Sequence, residues 1–162
     1  MNQWTDDKAW SDRFIPEIKQ HLSAVLIKEA PAIEDAERNT DLIVLKLDSV
    51  RVACRIRRHE YLQRYSNEFT IRTGRPSGTK TELAKVFEGW GDYMFYGFAN
   101  AEQTALAAWF IGDLKAFRIW VFRELYKGSG MPGVEKHNAD GSSSFFVFDR
   151  RAVKDFIVSE AP

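Results

Sequence analysis

The sequence has few of the residues that cross-link a fold or hold it in a membrane. Its 162 residues include one cysteine, Cys54, which excludes an internal disulfide and a paired-cysteine metal site. No apolar run approaches the roughly 20 residues that a membrane-spanning helix needs. The opening segment, MNQWTDDKAW, is acidic where a signal peptide would be basic. These absences predict a soluble, cytoplasmic protein that does not contact a membrane.

The chain also lacks an excess of charge of either sign. Lys plus Arg and Asp plus Glu both number 23, so the whole molecule exerts no net attraction on nucleic acid. Any such binding must come from a local patch. The three histidines do not have the spacing of zinc ligands, and we expect no bound cofactor.

Apolar residues, by contrast, are abundant. They make up 44% of the sequence, and aromatic residues alone make up 14%, which predicts a packed core. The length is that of one domain, so we expect residues 1–162 to form a single domain.

Three segments have the periodicity or the capping signals of helices. Thr79 and Glu82 have the spacing of a capping box, and Asp113 is a suitable N-cap. Pro16 suits the first turn of an amphipathic helix. The predicted helices are residues 15–30, 79–91 and 114–127.

Alternating or continuous apolar runs predict six strands. They lie within residues 41–47, 50–58, 68–72, 93–99, 106–112 and 137–149, the last after a turn at Asp140-Gly141. The order is helix, three strands, helix, two strands, helix and strand. This order is typical of an α/β or α+β protein, with a mixed five- to six-stranded sheet flanked by helices.

Alternation in two of these strands separates apolar from polar side chains. We expect Cys54 to be buried in the core, because it shares a face with valine and isoleucine. The second strand directs Val50, Val52, Cys54 and Ile56 to one face and Arg51, Ala53, Arg55 and Arg57 to the other. The third directs Phe69 and Ile71 inward and Glu68, Thr70 and Arg72 outward.

Asp41, at the head of the first strand, and the element order resemble the PD-(D/E)xK nuclease fold, which includes restriction endonucleases and Holliday-junction resolvases. In that family an Asp and a Glu hold a divalent metal, and a Lys two residues after the Glu orients the attacking water. The resemblance covers about residues 10–100 and implies a restriction-endonuclease-like core. Residues 101–162 would then be a strand–helix–strand extension.

The residue-by-residue match implies that the metal site has been lost. Asp41 corresponds to the metal-binding Asp, but Arg55 stands where the Glu should be and Arg57 is near the Lys position. A unit charge about 4 Å from a divalent cation interacts by roughly 8 kcal/mol at an effective dielectric of 20, attractively for Glu and repulsively for Arg. The resemblance therefore implies a catalytically inactive, nuclease-like domain without a metal.

The arginine-rich face still has the chemistry to bind nucleic acid. An arginine offers a bidentate fork to phosphate oxygens, and tyrosines such as Tyr61 and Tyr65 can stack on unpaired bases. We expect a local basic strip formed by Arg51, Arg55, Arg57, Arg58, Arg72, Arg75 and Lys80.

Two alternatives remain open for these charged residues. In the first, Arg55 or Arg57 pairs with Glu68 on an adjacent strand as an ordinary cross-strand ion pair. In the second, the protein is an active Mg²⁺-dependent nuclease whose second carboxylate has moved onto the following helix. The active site would then combine Asp41 with Glu82 or Glu88 and with Lys80 or Lys85.

A third alternative is a protein-binding role. The stretches EFTIRTGRPSG and EGWGDYMFYGF are similar in texture to phage and prophage proteins. Balanced charge and abundant aromatic residues also suit a small phage-type inhibitor that binds a host protein.

Overall fold

The computed structural model describes residues 3–29, 42–44, 50–74, 77–78 and 80–162. Its helices are α1 (Gln3–Asp12), α2 (Ile15–Leu26), α3 (Leu62–Tyr65), α4 (Glu82–Phe87) and α5 (Leu114–Tyr126). Its strands are β1 (Ile27–Glu29), β2 (Leu42–Val44), β3 (Val52–Arg57), β4 (Glu68–Gly74), β5 (Tyr93–Ala99), β6 (Leu106–Asp113), β7 (Val134–His137), β8 (Ser144–Asp149) and β9 (Ile157–Ala161). Short 3₁₀ turns occupy His59–Tyr61 and Arg150–Ala152.

The strands form separate sheets in an α+β arrangement. A mixed four-stranded sheet has the order β3-β5-β6-β9, in which β3 is parallel to β5 and the other neighbours are antiparallel. An antiparallel three-stranded sheet has the order β4-β8-β7, and β1 pairs with β2. The prediction of one five- to six-stranded sheet is therefore wrong for the described strands. Alternation indicates which face of a strand is buried, but it does not identify the neighbouring strand.

A large aromatic cluster joins the two larger sheets. Phe69 of β4 stacks on Phe156 with ring centroids 4.9 Å apart and on Phe148 of β8 at 5.3 Å. Phe110 of β6 and Phe117 of α5 complete this part of the cluster. Each of these rings is 1% exposed or less, so their burial is the main apolar contribution to the fold.

A second cluster covers the opposite face of the four-stranded sheet. Phe14 and Ile18 of the α2 region pack on Phe95 of β5 and Ile111 of β6. Pro16 lies in the first turn of α2, as predicted. The helix ends at Leu26, earlier than expected, because the following residues pair with β2 as strand β1.

Several elements in the later half of the chain, including β5, β6 and α5, lie where they were predicted. The carboxylate of Asp113 accepts hydrogen bonds from the backbone N–H groups of Lys115 and Ala116, which confirms it as the N-cap of α5. The turn at Asp140-Gly141 connects β7 to β8, and Gly141 has the positive φ of 70° that the turn requires. Strands β7 and β9 were not predicted.

Two local predictions are wrong. The N-cap of α4 is Thr81, whose hydroxyl accepts from the backbone N–H of Ala84, so Glu82 is the first helical residue and not the third of a capping box. Thr79 lies outside the described residues. Cys54 is exposed and not buried in the core; it lies on β3, which is one of the two edge strands of its sheet.

None of the helices in the described part of the chain combines the length and the apolar character needed to cross a membrane.

Candidate functional site: an arginine cleft

A cleft of about 270 Å³ lies between the four-stranded and the three-stranded sheet. We call it the arginine cleft. The cations lining it are Arg55 and Arg57 from β3, Arg72 from β4 and Lys136 from β7. Its aromatic residues include Tyr61, Tyr65, Tyr96, Phe98 and Phe145. Residues from seven elements thus meet at one place, so the sequence order of these residues does not reveal the cleft.

Thr70 connects the two sheets beneath the cleft. The residue is only 8% exposed, and its Oγ1 accepts a hydrogen bond from Nη1 of Arg55 at 3.0 Å and from Nη1 of Arg57 at 3.3 Å. The hydroxyl of Tyr96 lies 3.3 Å from the same oxygen. Since the two arginines use the accepting capacity of Thr70, its hydroxyl hydrogen is directed to Tyr96. The outward face of β4 is therefore covered by the polar face of β3.

Arg55 forms an ion pair with Glu82 at the start of α4. Its Nη2 lies 2.7 Å from Oε1 and 2.6 Å from Oε2 of the carboxylate. The backbone N–H of Arg72 also donates to Oε2, at 3.2 Å. The predicted cross-strand pair with Glu68 is wrong for Arg55, because β3 and β4 belong to different sheets.

The pKa of Glu82 follows from these contacts. Burial by itself would raise the pKa of this carboxyl group. The positive charge of Arg55, the N–H of Arg72 and the hydrogen bonds from Arg55 outweigh burial and hold the pKa below its ordinary value. Glu82 is thus ionised at neutral pH, and its charge offsets that of Arg55.

Arg57 differs from Arg55, since none of the described carboxylates pairs with it. Its guanidinium lies over the ring of Tyr61, 4.2 Å from the centroid, and donates to Thr70. Within the described part of the chain, no carboxylate lies within ion-pair distance of Arg57 or of the exposed Lys136. Two cations of the cleft therefore keep charge that can act on a ligand.

Tyr61, which was predicted to stack on bases, contacts Arg57 in the cleft. One face of its ring is occupied by the guanidinium of Arg57. The ring of Tyr65 lies next to it, with centroids 6.1 Å apart. Tyr61 therefore holds Arg57 in place, and Tyr65 and Phe145 provide aromatic surface in the cleft.

Three other members of the predicted basic strip, Arg51, Arg58 and Lys80, do not line the cleft. Arg58 lies over the ring of Trp10 at 5.0 Å, and its Nη2 is 3.8 Å from Asp7. Arg51 lies over Trp90 at 5.7 Å. Lys80 forms an ion pair with Glu88 at 2.7 Å, and Arg75 is outside the described residues. The structure thus gathers Arg55, Arg57, Arg72 and Tyr61 into one pocket.

The residues of the catalytic alternative are only partly among the described residues. Asp41, the predicted metal ligand, lies outside them. Glu82 gives both oxygens to Arg55, and Lys85 is exposed on α4. Among the residues that the structure describes, no three His, Cys, Asp or Glu side chains are grouped so that they can hold a metal ion.

Three contributors to the cleft were missed by the sequence reasoning. Lys136 lies on β7, a fully exposed strand without an apolar pattern. Thr70 and Tyr96 lie on strands in which the adjacent residues are mostly apolar, so the sequence gives no sign that their hydroxyl groups belong to a site. Only the pairing of the strands brings their hydroxyl groups to the arginines.

A larger cavity of about 400 Å³ lies elsewhere and has a different character. Its cation, Arg150, is bound to Glu160 at 2.5 Å and lies over the ring of Phe110 at 5.0 Å. The charge of this arginine is offset by its partner. The arginine cleft is therefore the better candidate for an anionic ligand.

Comparison of the chain with protein-family models, with curated proteins and with solved structures found no match.

Proposed function

We propose that the protein binds single-stranded nucleic acid through the arginine cleft and does not hydrolyse it. Guanidinium groups bind phosphate oxygens through charge-assisted hydrogen bonds, and aromatic rings stack on unpaired bases. The cleft places both kinds of group side by side, with Arg57 next to Tyr61 and Tyr65. Hydrolysis is left out of the proposal because Glu82, the relocated carboxylate of the nuclease alternative, is bound to Arg55.

One observation carries this proposal, which is the state of Arg57. A buried ion-pair network would have offset its charge, as Glu82 does for Arg55. Instead, its contacts in the described part of the chain are an aromatic ring and a hydroxyl oxygen. These contacts position the guanidinium without neutralising it, which suits a residue that receives an anion.

The test is a titration of a fluorescent single-stranded oligonucleotide followed by anisotropy. We expect binding by the wild-type protein that weakens as salt rises, because phosphate contacts release counterions. Arg57→Ala should weaken binding about tenfold or more, as expected for loss of a charged hydrogen bond. The matched control is Arg51→Ala, because Arg51 lies outside the cleft against Trp90. Equal binding by the wild type and Arg57→Ala would remove the proposal.

A second candidate function, binding of a protein partner, is supported by the outer face of α5. Ile119, Phe122 and Tyr126 are 58%, 52% and 93% exposed and share one side of the helix, at steps of three and four residues. Large exposed apolar side chains in a row are typical of protein contact surfaces. The test is a pull-down from a nuclease-treated bacterial lysate. A partner of this face should be lost with Ile119→Ser plus Phe122→Ser and kept with Arg57→Ala.

A further inference from the structure

We infer that the arginine cleft recognises a phosphomonoester attached to a nucleoside, meaning a phosphorylated chain end or a free nucleotide, in preference to internal nucleic-acid backbone. The inference rests on the proposed function, because it names the part of a nucleic acid that the same cleft binds. It is argued from the size of the cleft, the position of its cations and the way Arg57 is held.

The size and the charge distribution favour one compact anion. A volume of about 270 Å³ is slightly below the roughly 300–1,000 Å³ of pockets that hold drug-sized ligands. A protein that binds the internal backbone of a single-stranded nucleic acid needs cations spaced along a groove, so that they meet successive phosphates. Here Arg58 and Lys80 lie outside the cleft beside Asp7 and Glu88. Among the described residues, the cations of the arginine cleft thus line a single pocket and do not extend into a groove through Arg58 or Lys80.

The available charge also matches a phosphomonoester better than a phosphodiester. A terminal phosphate carries about −1.5 to −2 at pH 7 and offers three acceptor oxygens, whereas each internal phosphate of a nucleic acid carries a single negative charge. Arg57 and Lys136 line the same cleft, and neither has a carboxylate partner among the described residues. Glu68 also lines the cleft and opposes an anion, but two such cations together attract a terminal phosphate more strongly than a singly charged internal phosphate.

Arg57 is held before any ligand arrives. The ring of Tyr61 supports the flat side of its guanidinium, and Thr70 accepts one of its N–H groups. Thr70 is itself fixed by Arg55 and Tyr96. A cation held in this way loses little conformational freedom on binding, so more of its interaction with phosphate appears as affinity.

Four of the remaining lining residues suit a nucleoside more than bare phosphate. Tyr65, Phe98, Phe145 and Val147 give the cleft an apolar and aromatic wall next to its cations. Inorganic phosphate has no apolar group that can contact such a wall, whereas a nucleoside can contact it through its sugar or its base. We therefore expect the cleft to bind a nucleoside monophosphate more tightly than inorganic phosphate.

The experiment compares four probes by competition titration with the full chain. They are a ten-nucleotide oligothymidylate with a 5′-phosphate, the same oligomer with a 5′-hydroxyl, thymidine 5′-monophosphate and inorganic phosphate. We expect the 5′-phosphorylated oligomer to bind at least about tenfold more tightly than the 5′-hydroxyl oligomer, since the added phosphate gains charged hydrogen bonds. This preference should vanish in Arg57→Ala and persist in Arg51→Ala.

A second variant, Lys136→Ala, tests the same preference independently in case Arg57→Ala does not fold. Lys136→Ala removes an exposed side chain from β7, so the variant should fold and should lose most of the preference. Thermal unfolding of each variant checks the fold. If thymidine 5′-monophosphate matches the phosphorylated oligomer, the source is a free nucleotide; if it binds more weakly, the source is a chain end. Both results support the inference, provided that inorganic phosphate is the weaker competitor.

Two other outcomes separate this inference from the proposed function. Equal affinity for the two oligomers, with both weakened by Arg57→Ala, would overturn the preference for a terminal phosphate and leave nucleic-acid binding in place. No binding of either oligomer would overturn both.

Discussion

Arg55 and Glu82 are 27 positions apart in the chain, yet both oxygens of the carboxylate lie within 2.7 Å of one nitrogen of the guanidinium. The pair joins the edge strand of the four-stranded sheet to the first turn of α4. It also distinguishes the two arginines of β3. The guanidinium of Arg55 is paired with Glu82, whereas that of Arg57 lies over the ring of Tyr61, and we propose that Arg57 binds the ligand.

The first prediction concerns the stability that this pair contributes. Arg55→Ala leaves Glu82 partly buried without its cation and removes one donor from Thr70, so the free energy of unfolding should fall by about 1–3 kcal/mol. Urea denaturation followed by tryptophan fluorescence measures the change. The control is Arg123→Ala, which breaks an exposed contact with Glu124 and should change stability by less than about 0.5 kcal/mol.

The second prediction is a pH dependence of the same pair. Because the pKa of Glu82 is lowered in the folded protein, its contribution to stability is present above the ordinary value of 4.5 and is lost as the pH falls through the folded pKa. Glu82→Gln does not titrate. The difference in unfolding free energy between wild type and Glu82→Gln should therefore shrink as the pH falls from 7 towards 3. A difference that stays constant over this range would show that the carboxylate charge is not what stabilises the fold.

The third prediction concerns Glu68. Among the described residues that line the arginine cleft, it is the one with a carboxylate side chain. Its negative charge opposes an incoming phosphate. Removing a unit charge near a partly hydrated site changes the interaction by roughly 1 kcal/mol, so Glu68→Gln should tighten oligonucleotide binding about fivefold. Anisotropy titration at low salt measures this, with Glu102→Gln on the loop between β5 and β6 as the matched control.

The fourth prediction separates binding from catalysis. With Glu82 bound to Arg55, we expect Mn²⁺ not to raise the melting temperature, since a ligand stabilises a fold only when it binds the folded form. We also expect single-stranded and plasmid DNA to stay intact in Mg²⁺ or Mn²⁺. A stabilising shift that disappears in Asp41→Ala, together with DNA cleavage, would instead establish the active-nuclease alternative.

Local signals in the sequence predicted much of the secondary structure. Pro16, Asp113 and the Asp140-Gly141 turn act through their own backbone neighbours, and each has its predicted place. Helix α1 was not predicted, because its polar sequence lacks an apolar stripe. Strand β7 was missed for a similar reason, since both of its faces are exposed.

Strand pairing could not be predicted, and the site depends on it. The alternation in β3 and β4 correctly indicated that Phe69 and Ile71 are buried, but it did not show that β4 pairs with β8 and that β3 pairs with β5. Arg55, Arg57, Arg72 and Tyr61 were candidates from the sequence alone, the three arginines as members of one basic strip and Tyr61 as a ring that can stack on bases. Lys136 joins them only through a hairpin that packs from the far end of the chain.

The most direct test of the central claim is a comparison of wild type, Arg57→Ala and Arg51→Ala in binding a 5′-phosphorylated single-stranded oligonucleotide at two salt concentrations. We predict that Arg57→Ala loses about tenfold or more in affinity, with a weaker salt dependence, and that Arg51→Ala behaves as the wild type. If the two variants lose the same affinity, or if neither loses any, the arginine cleft is not where nucleic acid binds.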